Sequence, residues 1–343
     1  MEALLNKLGR QVSHHIGESS EIAAARRAGN ELARRVGFDE VRAGQLALVI
    51  TEAATNIVKH AREGEILLRT LAADGKFGVE VIALDRGPGM ANIALRMEDG
   101  VSTAGTYGVG LGAIRRLSQE FDVYSTEDLG TVLMMVVWGD GVGAASSDWQ
   151  VGAVCLPVAG EEACGDAWDI GMGRSSVAIC TADGLGHGPD AALASDPAVV
   201  LASQRPDLSA TSLIALAHEA LRGTRGAAMA IAVIDEEKGQ LGFVGVGNIA
   251  GCIFTDGARR HLMSHNGIVG SNLRKVQEFC HPWEPGAMVI LHSDGIATRW
   301  DLDSYPGLVF RHPSLIAAVL YRDFARKRDD AMVVVVRQRS THA

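Results

Sequence analysis

Three separated aspartates, each at the edge of an apolar run, constrain this chain more than any other feature. Asp183 follows Val177–Ala182 and opens Gly184-Leu185-Gly186-His187-Gly188; Asp294 follows Met288–Ser293 and precedes Gly295; Asp329 and Asp330 stand just before Ala331–Val336. Apolar runs of this length read as buried strands. An isolated Asp-Gly ordinarily does no more than make a turn. Several of them at strand ends mean something else, because a sheet sandwich brings distant strand ends together. A cluster of hard oxygen donors is what Mg²⁺ or Mn²⁺ requires.

The 343 residues suffice for two domains with full cores. Residues 139–147 read Gly-Asp-Gly-Val-Gly-Ala-Ala-Ser-Ser, small and flexible between two strand-like runs, which sets the expected division at 1–140, a linker at 141–148, and 149–343. A net charge of −9, acidic in both halves, leaves no basic face for a phosphate backbone, so no nucleic-acid partner is expected. No apolar stretch reaches membrane-spanning length, and Met1–Arg10 lacks a signal-peptide apolar region, so the expectation is a cytoplasmic protein with no membrane partner. Cys155, Cys164, Cys180, Cys252 and Cys280 show no C-x-x-C spacing and read as reduced thiols rather than a zinc site.

Upstream, periodicity predicts helices over Ser19–Val36, with Ser20 as cap, and from Asp39 to about Ala61, with the apolar stripe Leu46, Val49, Ile50, Ala53 and Ile57. Strands are expected at Glu65–Leu71, Phe77–Leu84, Asp122–Ser125 and Thr131–Trp138, with a helix near Gly110–Glu120. Downstream, seven strands and helices over Pro189–Ser203, Ser209–Arg222 and Pro313–Lys327 suggest two sheets with helices outside. The fold class is α+β.

The upstream half carries its own constellation. Glu52, Asn56 and His60 share a helical face, with Lys59 beside it, distinct from the apolar stripe. Such a face is ordinarily just solvated. Here it is followed by Asp85 at a strand end, by Gly87-Pro88-Gly89, and by Gly108, Gly110 and Gly112 opening a helix, where free backbone N–H groups cradle phosphate. The glycine turn does not follow a strand directly, so it is not a dinucleotide fingerprint. In this order the elements resemble the Bergerat-type ATPases, and most closely the anti-sigma or switch serine kinases of the RsbT and RsbW type, over about residues 10–138. Asp85-Arg-Gly-Pro-Gly, Asp99-Gly-Val-Ser-Thr-Ala-Gly105 and Gly110-Leu-Gly-Ala-Ile-Arg-Arg-Leu117 carry the likeness. It implies an α/β sandwich binding ATP and Mg²⁺, with Glu52 as general base and Asn56 as Mg²⁺ ligand. Asp85 would read adenine, Gly87 and Gly89 would let the chain approach it, Gly108–Gly112 would hold phosphate, and Thr131 would lie near the base. Tyr107 departs from the family's usual small residue in the lid. A histidine kinase is disfavoured by the short leader, in which His14 and His15 are expected to be exposed.

Residues 149–338 resemble the PP2C-like phosphatases of the SpoIIE and RsbX type, through Gly165-Asp166, Ala182-Asp183-Gly184-Leu-Gly-His-Gly188, Ser293-Asp294-Gly295-Ile296 and Asp329-Asp330-Ala331 in that order. The likeness implies an α-β-β-α sandwich holding two Mn²⁺ or Mg²⁺ ions. Asp183 would bridge them and the Gly184 carbonyl would bind one. Asp166, Asp294 and Asp329 would complete the shell, with Asp330 as the alternate ligand. His187 either contacts phosphate or fixes its turn, the second being favoured, and Cys164 stands where the family usually has glycine. The joint expectation is a kinase domain fused to a serine/threonine phosphatase, acting on STAS-domain antagonist or stressosome-type proteins upstream of a sigma factor or other effector. Its rival is a non-catalytic ATP-dependent binding module attached to the phosphatase. Retention of Glu52 favours the kinase, since binding alone needs no base.

Overall fold

The computed structural model describes residues 10–73, 75–91, 93, 110–139, 148–255, 258–273 and 275–339. Contacts divide the chain into two units, one of Met1–Ser147 with Leu302–Arg322, the other of Asp148–Asp301 with Asp323–Ala343. Sequence reasoning places 149–343 in one domain; the segment Leu302–Arg322 instead groups with the first unit.

That unit is an antiparallel sheet in the order β1-β2-β3-β5-β4, from Val12–Ile16, Gly64–Ala73, Lys76–Asp85, Thr131–Trp138 and Glu120–Ser125. Helices α1 (Ser19–Arg35), α2 (Glu40–Asn56) and α3 (Gly110–Leu117) contribute to its main core. Asp39 caps α2 as expected, accepting the Arg42 N–H at 2.7 Å. At α1 the cap is Glu18 rather than Ser20, and Glu21 reaches back to the N–H groups of Gly17 and Glu18. The stripe of α2 packs against Ile66, Leu68, Val79, Val81, Leu133 and Met135. Strand β1 was not legible in sequence, and it leaves His15 exposed and His14 half-buried.

Side chains alternate across a strand, so the other sheet face carries Leu67, Arg69, Glu80, Ile82, Met134, Val136 and Trp138, and all are buried. Arg69 and Glu80 face each other in register and form an ion pair at 2.5 Å, both almost fully buried. The segment 302–322 docks on this side through α6 (Pro313–Phe324) and the residues before it. Ser314 Oγ donates to Glu80 Oε1 at 2.7 Å, the His312 N–H donates to Asp122 Oδ2 at 2.8 Å, and Tyr321 Oη donates to Glu65 Oε2 at 3.3 Å. Taking away one partner of a buried ion pair is costly, because the other charge keeps its desolvation cost and loses its compensation. Glu80→Ala in the full chain is therefore expected to lose about 3–5 kcal/mol in urea unfolding. A loss under about 1 kcal/mol, the level of an exposed pair, overturns this reading of the contact.

The second unit is a sandwich of two sheets. One has the order β13-β10-β9-β8-β7, with β14 also on β10; the other runs β12-β11-β15-β16-β6. The first comprises β7 (Asp166–Met172), β8 (Ser176–Gly184), β9 (Ala227–Asp235), β10 (Gln240–Val246), β13 (Ser264–His265) and β14 (Phe279–Pro282). The second comprises β6 (Trp149–Leu156), β11 (Ala250–Thr255), β12 (Ala258–Leu262), β15 (Met288–His292) and β16 (Ala331–Gln338). Ile179, Ala230 and Phe243 of the first pack with Val289, Leu291 and Val334 of the second. Helices α4 (Pro189–Ser203) and α5 (Ala210–Ala220) form a second core with Ala178, Cys180 and Ile231. The seven downstream strands expected from sequence are present; β7, β12, β13 and β14 were not anticipated. Among the described residues, no helix is long and apolar enough to cross a membrane.

Candidate functional site

In the first unit the expected nucleotide residues converge from three elements. Glu52 and Asn56 stand half-buried on the last turns of α2, which continues as a π-helical turn over Ile57–Ala61, while Lys59 and His60 are exposed. A Cβ built on Gly110 would lie 3.3 Å from Asn56 Oδ1 and 3.5 Å from Glu52 Oε2, so the first residue of α3 sits directly on this polar pair. Gly112, two residues into the same helix, is buried. Gly108, Tyr107 and the 99–105 motif lie outside the described residues.

Asp85 ends β3. Its Oδ1 accepts the N–H groups of Gly87 at 2.8 Å and Thr131 at 3.2 Å, and burial raises its pKa against these bonds. Gly130 has φ +75°, and a Cβ there would stand 2.2 Å from the Asp85 carbonyl oxygen, so only glycine permits this approach. Gly89 meets Thr126 O in the same way, at 1.9 Å. Both glycines admit backbone to backbone, whereas the sequence expectation for Gly89 is approach to a ligand. Ser125, which no pattern singled out, joins the loops: its hydroxyl lies 2.9 Å from Thr131 Oγ1, receives the Met90 N–H at 2.8 Å and lies 3.0 Å from Gly130 O. Arg322, within the docked segment, donates to Asp85 O at 3.0 Å, and Arg86 donates to Arg322 O.

In the second unit the aspartates gather at one end of the sandwich. Asp166 and Asp183 are register partners on β7 and β8. Strands β15 and β16 are antiparallel with His292 opposite Val333, so Asp294, just past one, and Asp329, just before the other, lie at the same end. Ser293 ties the sheets: its hydroxyl donates to Asp166 Oδ2 at 2.6 Å and accepts the Met332 N–H at 3.1 Å. Asn248 donates to Asp294 Oδ2 at 2.8 Å. Neither Ser293 nor Asn248 was a sequence candidate, and a hydroxyl or amide at a strand end carries no periodic signal. Burial, then the charges of Asp294 and Asp329, push Asp183 up to about 7. Burial and Asp183 together hold Asp166 well above the usual carboxylate range. Mutual repulsion of this kind is what a bound cation relieves.

Asp330 behaves differently. Its two oxygens accept the N–H groups of Val158 at 2.7 Å and Gly165 at 2.6 Å, so it clamps the loop that delivers Asp166. Gly184 closes β8 and donates its N–H to Gly165 O at 3.0 Å. His187 is exposed, with Nδ1 2.9 Å from Glu161 Oε1. Among the described residues no three acidic, histidine or cysteine side chains already stand at coordinating distances. The donor set of carboxylates is nevertheless hard and anionic, and fits divalent Mg²⁺ or Mn²⁺ rather than a soft metal.

Comparison with known proteins agrees with this division of chemistry. Residues 18–137 match the family model of the histidine kinase-like ATPase domain, and residues 173–339 match that of stage II sporulation protein E, SpoIIE. The serine/threonine-protein kinase RsbT of Bacillus subtilis (strain 168) is 39% identical over 118 residues, 34% of this chain and 89% of the relative. The phosphoserine phosphatase RsbX of the same organism is 25% identical over 138 residues, 40% of this chain and 69% of that one. A chain from a structure of the bacterial stressosome, described as a modular system adapted to control secondary messenger signalling, is 28% identical with a TM-score of 0.52, covering 55% of this chain and 99% of its own. The chain thus joins a histidine kinase-like ATPase domain to a SpoIIE-type PP2C phosphatase domain. Through its first unit the chain belongs to the RsbT family.

Proposed function

We propose that the two units carry opposed phosphoryl-transfer activities on serine or threonine side chains of STAS-domain antagonist proteins, of the kind found in stressosome-type assemblies, and so set the activity of a sigma factor or other effector in the cytoplasm. The observation that carries the phosphatase half is the crowding of Asp166, Asp183, Asp294 and Asp329 at one sandwich end, where burial and their mutual repulsion raise Asp166 and Asp183. These four residues, with the Gly184 carbonyl, would hold two Mg²⁺ or Mn²⁺ ions. Such ions supply an activated water and neutralise phosphoryl charge. The chain's own contribution is orientation. Ser293 fixes Asp166, Asn248 fixes Asp294, and Asp330 spends both oxygens holding the loop rather than serving as the alternate ligand.

In the first unit Asn56 would hold Mg²⁺, and Asp85, with Gly87, Gly89 and Thr131 behind it, would receive adenine. The α3 N-terminus, with Gly108, Gly110 and Gly112, would face the phosphates of ATP. Glu52 lies one helical turn before Asn56, near the same point of α3, where it can take the proton of an acceptor hydroxyl as that oxygen bonds to the γ-phosphorus and ADP departs.

A base contributes to the transfer step and little to ground-state binding. Glu52→Ala, measured in the full chain with the phosphatase silenced by Asp183→Asn, is therefore expected to keep ATP affinity within a few-fold. Phosphorylation of a STAS-domain protein from the same genome should fall by about 10²–10⁴-fold. If the chain with Glu52 intact binds both ATP and that protein yet transfers no phosphate, the first unit is a binding module and the kinase proposal falls.

A further inference from the structure

We propose that Cys155 and Cys164 are a dithiol modification site, which a peroxide-class oxidant closes to a disulfide and which thereby lowers activity at the neighbouring carboxylate cluster. The two sulfurs lie 3.8 Å apart, and both side chains are half-buried. Cys155 stands on β6 opposite Met332 of β16, while Cys164 ends the loop leading to Gly165 and Asp166. Cys155 Sγ also lies 3.4 Å from the Asp166 carbonyl oxygen, so the pair abuts the backbone that presents this carboxylate. Of the remaining cysteines, Cys180 and Cys252 are buried and Cys280 is exposed. The sequence gives no hint of the pairing, because nine positions separate a strand residue from a loop residue and neither belongs to a spacing motif.

The chemistry balances with hydrogen peroxide as oxidant. One thiol, as thiolate, attacks a peroxide oxygen and becomes a sulfenic acid, the O–O bond breaking to release the first water once protonated. The second sulfur then displaces the sulfenic oxygen as a second water, leaving one S–S bond; the two thiols are oxidised and the peroxide is reduced by two electrons. Proximity makes the second step intramolecular.

Closure has a defined mechanical consequence. A disulfide brings its sulfurs to about 2.05 Å, so the two sulfurs must approach by well over an ångström. Strand β6 is held by β16 along its whole length, so the loop end moves. That movement draws on Gly165, whose N–H is fastened at 2.6 Å to Asp330, and on Asp166, fastened to Ser293 and paired with Asp183. A ligand carboxylate placed loosely in this way binds and acts less well.

The dithiol stands independently of the functional reading; its effect on activity rests on the phosphatase proposal. The test uses the full chain, treated with millimolar hydrogen peroxide and then freed of oxidant. Three measurements follow: non-reducing peptide mass spectrometry, Mn²⁺ binding by calorimetry, and hydrolysis of a generic phosphate ester. The expected results are a Cys155–Cys164 linked peptide, Mn²⁺ affinity weakened by tenfold or more, turnover down by a similar factor, and recovery of both with dithiothreitol. Cys155→Ser and Cys164→Ser are each expected to stay active and to resist peroxide. Absence of the linked peptide overturns the dithiol. A linked peptide with unchanged Mn²⁺ affinity overturns the effect on the cluster. A reduced chain that binds Mn²⁺ but hydrolyses nothing counts against the phosphatase reading alone, and the first two measurements still decide the dithiol.

Discussion

A chain ended after Ser147 is expected to lose the fold of its ATPase unit, even though every residue of the expected nucleotide site would still be present. The reason is the second face of the sheet. Leu67, Ile82, Leu84, Val132, Met134, Val136 and Trp138 project away from α1–α3 and are at most 4% exposed in the full chain. The segment 302–322 anchors on this side at Glu65, Glu80, Asp85 and Asp122, and all of it is removed by the cut. Burying a side chain of this size contributes about 1.5–3 kcal/mol, so re-exposing seven costs on the order of 10 kcal/mol or more. That matches or exceeds the roughly 5–15 kcal/mol by which a domain is stable at all. The fragment would also present an apolar patch larger than monomers tolerate, with Arg69 and Glu80 in its midst. By size exclusion and circular dichroism it should run as aggregate, or melt without a cooperative transition. A monomeric fragment with a sharp melt within a few degrees of the full chain would show that the segment is dispensable.

The same dependence limits how much of the fold is legible in the sequence. Periodicity identified α6 as a helix from Pro313, and strand composition found the paired cores. Neither identified which unit α6 serves, since Pro313 to Leu320 are buried on every side and no polar face gives direction. One signal was available: Thr131–Trp138 runs apolar without alternation, as a strand covered on both faces must. In the candidate sites, the residues proposed to carry the chemistry were legible at Asp-Gly turns. Residues whose function is to hold others were not. Ser125, Asn248 and Ser293 act through a single hydroxyl or amide placed by long-range pairing, and nothing in their neighbourhood in the sequence marks them. Asp330 shows the same limit from the other direction, because two adjacent aspartates look alike until one is seen to spend its oxygens on the N–H groups of Val158 and Gly165.

Asp183→Asn should separate the chemistry of the cluster from its contribution to folding. At the end of β8 Asp183 is the register partner of Asp166, and it feels the charges of Asp294, Asp329 and Asp330. An amide keeps the shape but removes the charge on which a metal bridge depends. If bound metal supplies several kcal/mol to the transition state, and each 1.36 kcal/mol is a factor of ten, ester turnover should fall by about 10²-fold or more. Stability should move the other way. Burial and neighbouring carboxylates raise Asp183 from 3.8 to about 7. In chelator the native state therefore binds a proton that the unfolded chain has released, and its stability declines as pH climbs from about 4 to about 7, with no further loss above. Asparagine does not titrate and escapes this decline, so at pH 7.5 without metal the variant should melt no lower than the original chain. Added Mn²⁺ should raise the melting temperature of the original, by the usual linkage between binding and folding, and raise that of the variant much less. A variant that keeps turnover within about tenfold and gains as much from Mn²⁺ as the original would remove Asp183 from the metal site, and with it the two-metal proposal.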